Sequence, residues 1–181
     1  MGGARQLEFF SEGGFQRQRC RACGSHFWAL EKQPLCGDAP CVEYSFLGAP
    51  LFDQPLGLAE MREAFLAFFE ARDHTRVERA PVVARWRDDI YLTIASIAVF
   101  QPHVTSGLAR PPANPLAISQ PCIRPNDLES VGRSGRHLTT FEMTAHHAFH
   151  SHEDATYWQD PTLELSHALY PGLGVPPHAL T

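Results

Sequence analysis

Cys20, Cys23, Cys36 and Cys41 stand in the pattern C-x2-C-x12-C-x4-C, with Gly24, Gly37 and Pro40 beside the thiols to supply turns. Two such pairs can close a tetrahedral thiolate site on zinc at Zn–S distances of about 2.3 Å, which stabilises a small lobe whose own core is thin. Four thiolates leave no open coordination position, so zinc held this way is structural rather than catalytic. The first pair has the common two-residue gap and the second is wider, which leaves four buried free thiols as the competing reading.

A second group of residues lies at 116–143, around Arg124, Asn126, Asp127, His137, Phe141 and Met143. If 116–124 and 136–143 are antiparallel strands, the connection at 125–135 is much longer than that of most hairpins, and long connections of this kind usually carry function. Side-chain alternation puts Arg124 on the side of Leu116, Ile118 and Cys122, and puts His137, Thr139, Phe141 and Met143 together on one side of the return strand. His137 and Phe141 would stand about 13 Å apart at roughly 3.3 Å per residue, a length on the scale of a nucleotide. A guanidinium fork, an imidazole and an aromatic plate suit phosphate, phosphate and base in turn. The bland alternatives are that Phe141 and Met143 serve as core and that Arg124 pairs with Asp127 or Glu129 across the loop. No G-x-x-x-x-G-K-[ST] is present, so a nucleotide site here is not of the Walker kind.

These groups need elements to position them. Leu58, Met61, Phe65, Leu66, Phe68 and Phe69 share one broad face and predict an amphipathic helix from Leu58. The β-branched and aromatic runs at 81–86 and 90–94 predict strands, with a single buried helix over 90–100 as the alternative. Four prolines and a glycine make 101–115 a long loop. Asp160-Pro161 reads as an N-cap and first helical residue, followed by a helix over 162–170 that ends at Pro171-Gly172. Prolines and a glycine at 49–57 read as a linker. It divides a Cys-rich amino-terminal lobe, 1–56, from a second domain, 57–181.

With 181 residues, the chain can hold one domain of ordinary size or one and a half. Its net charge of −5 excludes a protein whose work is dominated by neutralising phosphates, so any nucleic acid contact must be local. Lys32 is the sole lysine, so the cations are almost all planar forks that match carboxylate and phosphate. No apolar run reaches the roughly 18 residues of a membrane span, and the first ten residues do not read as an export signal. A cytoplasmic protein without membrane partners is expected. The run His146, His147, His150 and His152 reads as surface and core histidines rather than a metal site.

The segment from Arg124 through the acidic loop to His137 and Phe141 resembles the second signature of class II aminoacyl-tRNA synthetases. More narrowly, the chain resembles the archaeal type of alanyl-tRNA synthetases. Cys20-x-x-Cys23-Gly24 with Phe27-Trp28, the run 81–97, Phe100-Gln101-Pro102-His103-Val104-Thr105-Ser106-Gly107 and Asn126-Asp127-Leu128-Glu129-Ser130-Val131-Gly132 all carry this likeness, which covers nearly the whole chain. It implies an α+β fold, with an antiparallel sheet flanked by helices, as part of a class II catalytic core beside the small Cys-rich lobe. It also implies ATP-dependent activation of alanine and transfer to tRNA(Ala), with Mg2+ bridging the phosphates. By likeness, Arg124 would be the catalytic residue, holding the α-phosphate and the reacting carboxylate. His137 would lie toward the departing pyrophosphate, Phe141 would stack on adenine, and the backbone near Met143 would read its edge. Asn126 and Asp127 would order the loop, and Ile97 would line the small alanine pocket. Complete members of the family continue with a glycine-rich strand and a third signature that this sequence does not contain. An amino-terminal piece of such a ligase is therefore expected, the alternative being a noncatalytic zinc-lobe module that contacts RNA or protein.

Overall fold

A computed structural model of the chain describes residues 7–37, 41–43, 52, 54–132, 137–150 and 156–180. They form two compact units, one from 1–56 with 157–181 and one from 57–156. The C-terminal helix belongs to the same unit as the amino-terminal residues. Residues 49–51 and 53 of the expected linker lie outside the described residues.

In the first unit, a short helix α1 (Glu8–Glu12) leads into an antiparallel hairpin of β1 (Gln16–Arg19) and β2 (His26–Ala29), with Gln16 opposite Ala29 and Arg19 opposite His26. Alternation along β2 buries Phe27 and Ala29 against Cys20 and Cys36, so the cysteines themselves form half of this small core. Phe10 stacks on Trp28 with ring centroids 4.3 Å apart. The last helix, here α3 (Gln159–Gly172), starts three residues before the expected 162. Asp160 is therefore not its cap. Its carboxylate instead accepts a hydrogen bond from the Phe9 N–H at 3.1 Å, while Phe9 and Phe15 meet the His167 ring edge-on.

The second unit is built on a three-stranded sheet in the order β3 (Thr75–Arg76), β4 (Leu116–Ile123), β5 (Thr140–His147). The β4–β5 pair is antiparallel as expected; the short β3 runs parallel to β4, so the sheet is mixed. Helix α2 (Leu58–Glu70) covers one face, with Phe65, Leu66 and Phe69 buried and Phe69 stacked on His146. The other face is covered by a 3-10 turn, Ser96–Phe100, which packs Phe100, Ile97 and Val99 against Leu116, Ile118 and Ala145. The β4 strand is buried on both faces, as a strand between two layers must be. Its odd-numbered residues turn their backbone groups away from β5, since Ala117 O accepts from Val77 N and Ile123 N donates to Thr93 O. Pro121 therefore removes no bond of the β4–β5 ladder.

Two expectations change here. The runs 81–86 and 90–94 are not strands but the arms of a loop joined by one antiparallel bridge, Val83 with Leu92, with Thr93 N donating to Val82 O at 2.7 Å. The 90–100 helix is also not formed, and only its last five residues turn helically. Gln120 explains how an irregular loop is held. Its buried amide copies a peptide group, accepting from Ala80 N at 2.9 Å and donating to Ala80 O at 3.0 Å, so a side chain supplies the pairing that a strand would have made. Among the described residues, no helix is long and apolar enough to cross a membrane.

Candidate functional site

The four thiols of the first unit converge. The Sγ atoms of Cys20, Cys23, Cys36 and Cys41 all lie within 4.8 Å of one another, and those of Cys23 and Cys36 are 3.9 Å apart. Ligands at about 2.3 Å on tetrahedral zinc would be separated by about 3.8 Å, so the cluster is close to the size the ion requires. A sulfur pair at 3.9 Å is far from the roughly 2.05 Å of a disulfide. Sharp turns set the spacing: Gly24 N donates to Cys20 O at 3.0 Å, and Gly24 and Gly37, each just after a cysteine, take φ of +76° and +83°. The electrostatics point the same way. Backbone N–H groups, that of Cys23 first, hold the Cys20 thiol down to about 6, whereas the Cys23 thiol and burial push Cys41 up to about 12. Four thiolates cannot share this volume unaided, and a bound dication is what would let them. The residues fit zinc.

The second group sits on the face of β4–β5 that carries the 96–100 turn. Register pairs Cys122 with Phe141 and Gln120 with Met143, which puts Arg124, Phe141 and Met143 on one side of the hairpin. Arg124 is exposed, and its guanidinium carbon stands 5.2 Å from the centroid of the Phe141 ring. Its Nε donates to Ile94 O at 2.7 Å, which fixes the stem and leaves the two terminal nitrogens directed elsewhere. Arg124 N also donates to Thr139 O at 2.9 Å, continuing the ladder one step past β4. Met143 Sδ accepts from Ser96 N at 3.4 Å, which ties β5 to the turn bearing Ile97. Ile97 is half-buried and packs on Phe100, Leu116 and Ile118.

The return strand begins at Thr140 rather than 136 and extends to His147, four residues beyond the expected end. His137 therefore precedes the strand. It is exposed, and the extended spacing assumed between it and Phe141 does not apply; residues 133–136 lie outside the described residues. Asn126 and Asp127 are exposed in the connecting loop, where Asp127 takes a left-handed φ of +53° that turns the chain into a short 3-10 segment, Leu128–Ser130. The structure thus brings Arg124 and Phe141 together directly, with Met143 on the same face, while His137 precedes the strand that carries Phe141 and Met143. The alternative reading, an Arg124 pair with Asp127 or Glu129, is absent among the described residues.

Sequence reasoning missed what braces this face from behind. On the opposite side of β5, both oxygens of Glu142 accept from the guanidinium fork of Arg62 at 2.6 Å each, with further hydrogen bonds donated by Arg79 at 3.2 Å and the Ser119 hydroxyl at 2.8 Å. The Arg62 hydrogen bonds hold the Glu142 carboxyl down to about 2. The parity of Glu142 against Phe141 and Met143 was the available signal. The neighbouring His146 and His147 fall on opposite faces, His146 toward Phe69 and His74, His147 toward Phe100 and Phe149, so they cannot share a metal.

Residues 60–181 match the sequence profile of a family described as tRNA synthetases class II (A). The alanine–tRNA ligase of Methanosarcina acetivorans is 62% identical over 177 residues, which is 97% of this chain and 19% of that protein. That of Methanoregula boonei is 63% identical over 170 residues, 93% of this chain and 18% of its own. The ligase of Methanococcoides burtonii is 60% identical over 177 residues. The chain spans about a fifth of the length of the curated relatives it matches.

Proposed function

Because this chain belongs to the class II tRNA synthetases, we propose that it is the amino-terminal part of an alanine–tRNA ligase, with Arg124, Phe141 and the 94–97 segment forming one side of its ATP and alanine site. The observation that carries this reading is the placement of the Arg124 guanidinium 5.2 Å from the Phe141 ring, on a single face of the hairpin. An adenine on Phe141 would leave its α-phosphate within reach of the free guanidinium nitrogens. There Arg124 would stabilise the charge that builds as the alanine carboxylate attacks phosphorus and pyrophosphate departs. Asn126 and Asp127 would set the path of the loop over the nucleotide, His137 would approach the leaving phosphates, and the backbone at Met143 would meet the adenine edge. Ile97, held by the Ser96 to Met143 contact, would limit the amino-acid pocket to a small side chain. Magnesium, when bound with ATP, would neutralise the phosphate charge. Cys20, Cys23, Cys36 and Cys41 would hold a structural zinc that takes no part in the reaction.

The test is ATP affinity by calorimetry for the chain, for Arg124→Ala and for Phe141→Ala. Loss of the charge-assisted contacts, each about 1.5–3 kcal/mol, lowers affinity roughly 10- to 100-fold in the arginine variant. Unchanged affinity in both variants removes this face from the site. Since adenine is held from one side only, ATP binding is expected to be weak and alanine-dependent exchange of pyrophosphate into ATP close to background. Robust exchange by these 181 residues would overturn that part.

A further inference from the structure

The Cys lobe carries a concentration of charge that neither zinc binding nor nucleotide activation uses. Arg17 and Arg19 share one face of β1, about 6.7 Å apart by strand geometry. On the other face, Gln18 donates to Glu31 O at 2.7 Å and accepts from Gln33 N at 2.9 Å, which pins the turn that presents Lys32. Arg21 N donates to Pro34 O at 2.9 Å and brings Arg21 beside the same turn. The result is an open cleft of about 630 Å³ lined by Arg17, Arg19, Arg21 and Lys32 with glutamines and Pro34, and by no carboxylate.

All four cations are exposed, and none is in an ion pair among the described residues. The ion-paired arginines, Arg62, Arg76, Arg79 and Arg87, all belong to the 57–156 unit. In a chain of net charge −5, four unpaired cations in one cleft repel each other and attract an extended anion. Four thiolates around one dication would be net negative and would offset part of this charge from within the lobe, but no cysteine lines the cleft.

We propose that this cleft binds the sugar–phosphate backbone of RNA. It rests on the ligase reading above in one respect, that the RNA is the tRNA substrate. The cleft suits a backbone rather than a base or a mononucleotide, because no aromatic side chain lines it and Trp28, on the same face as Arg17, is stacked on Phe10. Forks along an exposed edge strand reach successive phosphates, and glutamine amides add donors to phosphate or ribose. Binding is therefore tolerant of sequence and steep in salt.

The test is filter binding of unfractionated tRNA to the zinc-loaded chain at two salt concentrations. Four duplex-phosphate contacts predict an affinity loss of about 100-fold between about 50 and about 200 mM salt, and the triple variant Arg17→Ala, Arg21→Ala, Lys32→Ala reduces that to about 3-fold. Arg17→Lys with Arg21→Lys keeps the charge and is expected to keep the steep dependence, which separates loss of charge from loss of fold, and zinc content by elemental analysis is expected to be equal in all three proteins. A triple alanine variant with the original salt dependence overturns the proposal, as does complete displacement of tRNA by tripolyphosphate at equal phosphate concentration, which marks a small-polyanion site. Failure of the ligase reading shows elsewhere, as absent ATP binding by the unaltered chain, and leaves the tRNA titration interpretable.

Discussion

A guanidinium that already donates to a carbonyl has only its outer nitrogens to offer a ligand, and this is the condition of Arg124. Arg124→Lys should therefore fail to rescue ATP binding, because one ammonium cannot hold Ile94 O and bridge to phosphate with a planar fork; calorimetry should put it near the alanine variant. Two other residues report on acid. Burial holds His147 down to about 4 from an ordinary 6.5, so the unfolded chain binds the proton first and stability falls as pH drops from 6.5 toward 4. Glu142, held down to about 2 from 4.5, contributes fully above pH 4.5 and loses that contribution as pH falls toward 2. Melting temperatures between pH 7 and about 2.5 should thus decline in two windows, with His147→Phe reducing the upper, which His146, also held down to about 4 by burial, shares, and Glu142→Gln flattening the lower. Of these residues, Arg124 and Phe141 were legible from type and spacing. Glu142 and the Ile94 carbonyl were not, since each acts through partners far along the chain, Arg62 being 80 residues from Glu142.

At the scale of elements, legibility followed periodicity. The 3.6-residue pattern from Leu58 marked α2 because one apolar face decides a helix, and Phe69 at its centre is fully buried. Phe69→Ala should lower stability by about 3–5 kcal/mol in a urea titration followed by circular dichroism. The 81–94 segment misled because its β-branched residues satisfy a strand pattern, while the pairing that would complete it comes from the Gln120 amide, which no local pattern shows. Gln120→Glu, which keeps the acceptor and loses the donor, should leave Ala80 O unsatisfied at a cost of about 1–3 kcal/mol by the same titration. β5 begins at Thr140, four residues later than residue types suggest. The cysteine cluster was legible in part, since spacing singled out the four thiols that the fold brings within 4.8 Å of one another. Cys36→Ser should abolish zinc retention by elemental analysis and lower the melting temperature of the lobe.

Across the whole molecule, the family was legible from contiguous runs of residues, whereas the distribution of charge was not, because net charge averages over it. Among the described residues, paired arginines occupy 57–156 and unpaired cations gather on β1 and the Lys32 turn. Dissolved ions weaken attraction and repulsion alike. The same sodium chloride titration should therefore loosen one unit and settle the other: backbone amides around Glu142 should exchange faster with deuterium as the concentration rises, while those of the β1–β2 hairpin slow. A single melting curve would record the near-cancellation as indifference to ionic strength.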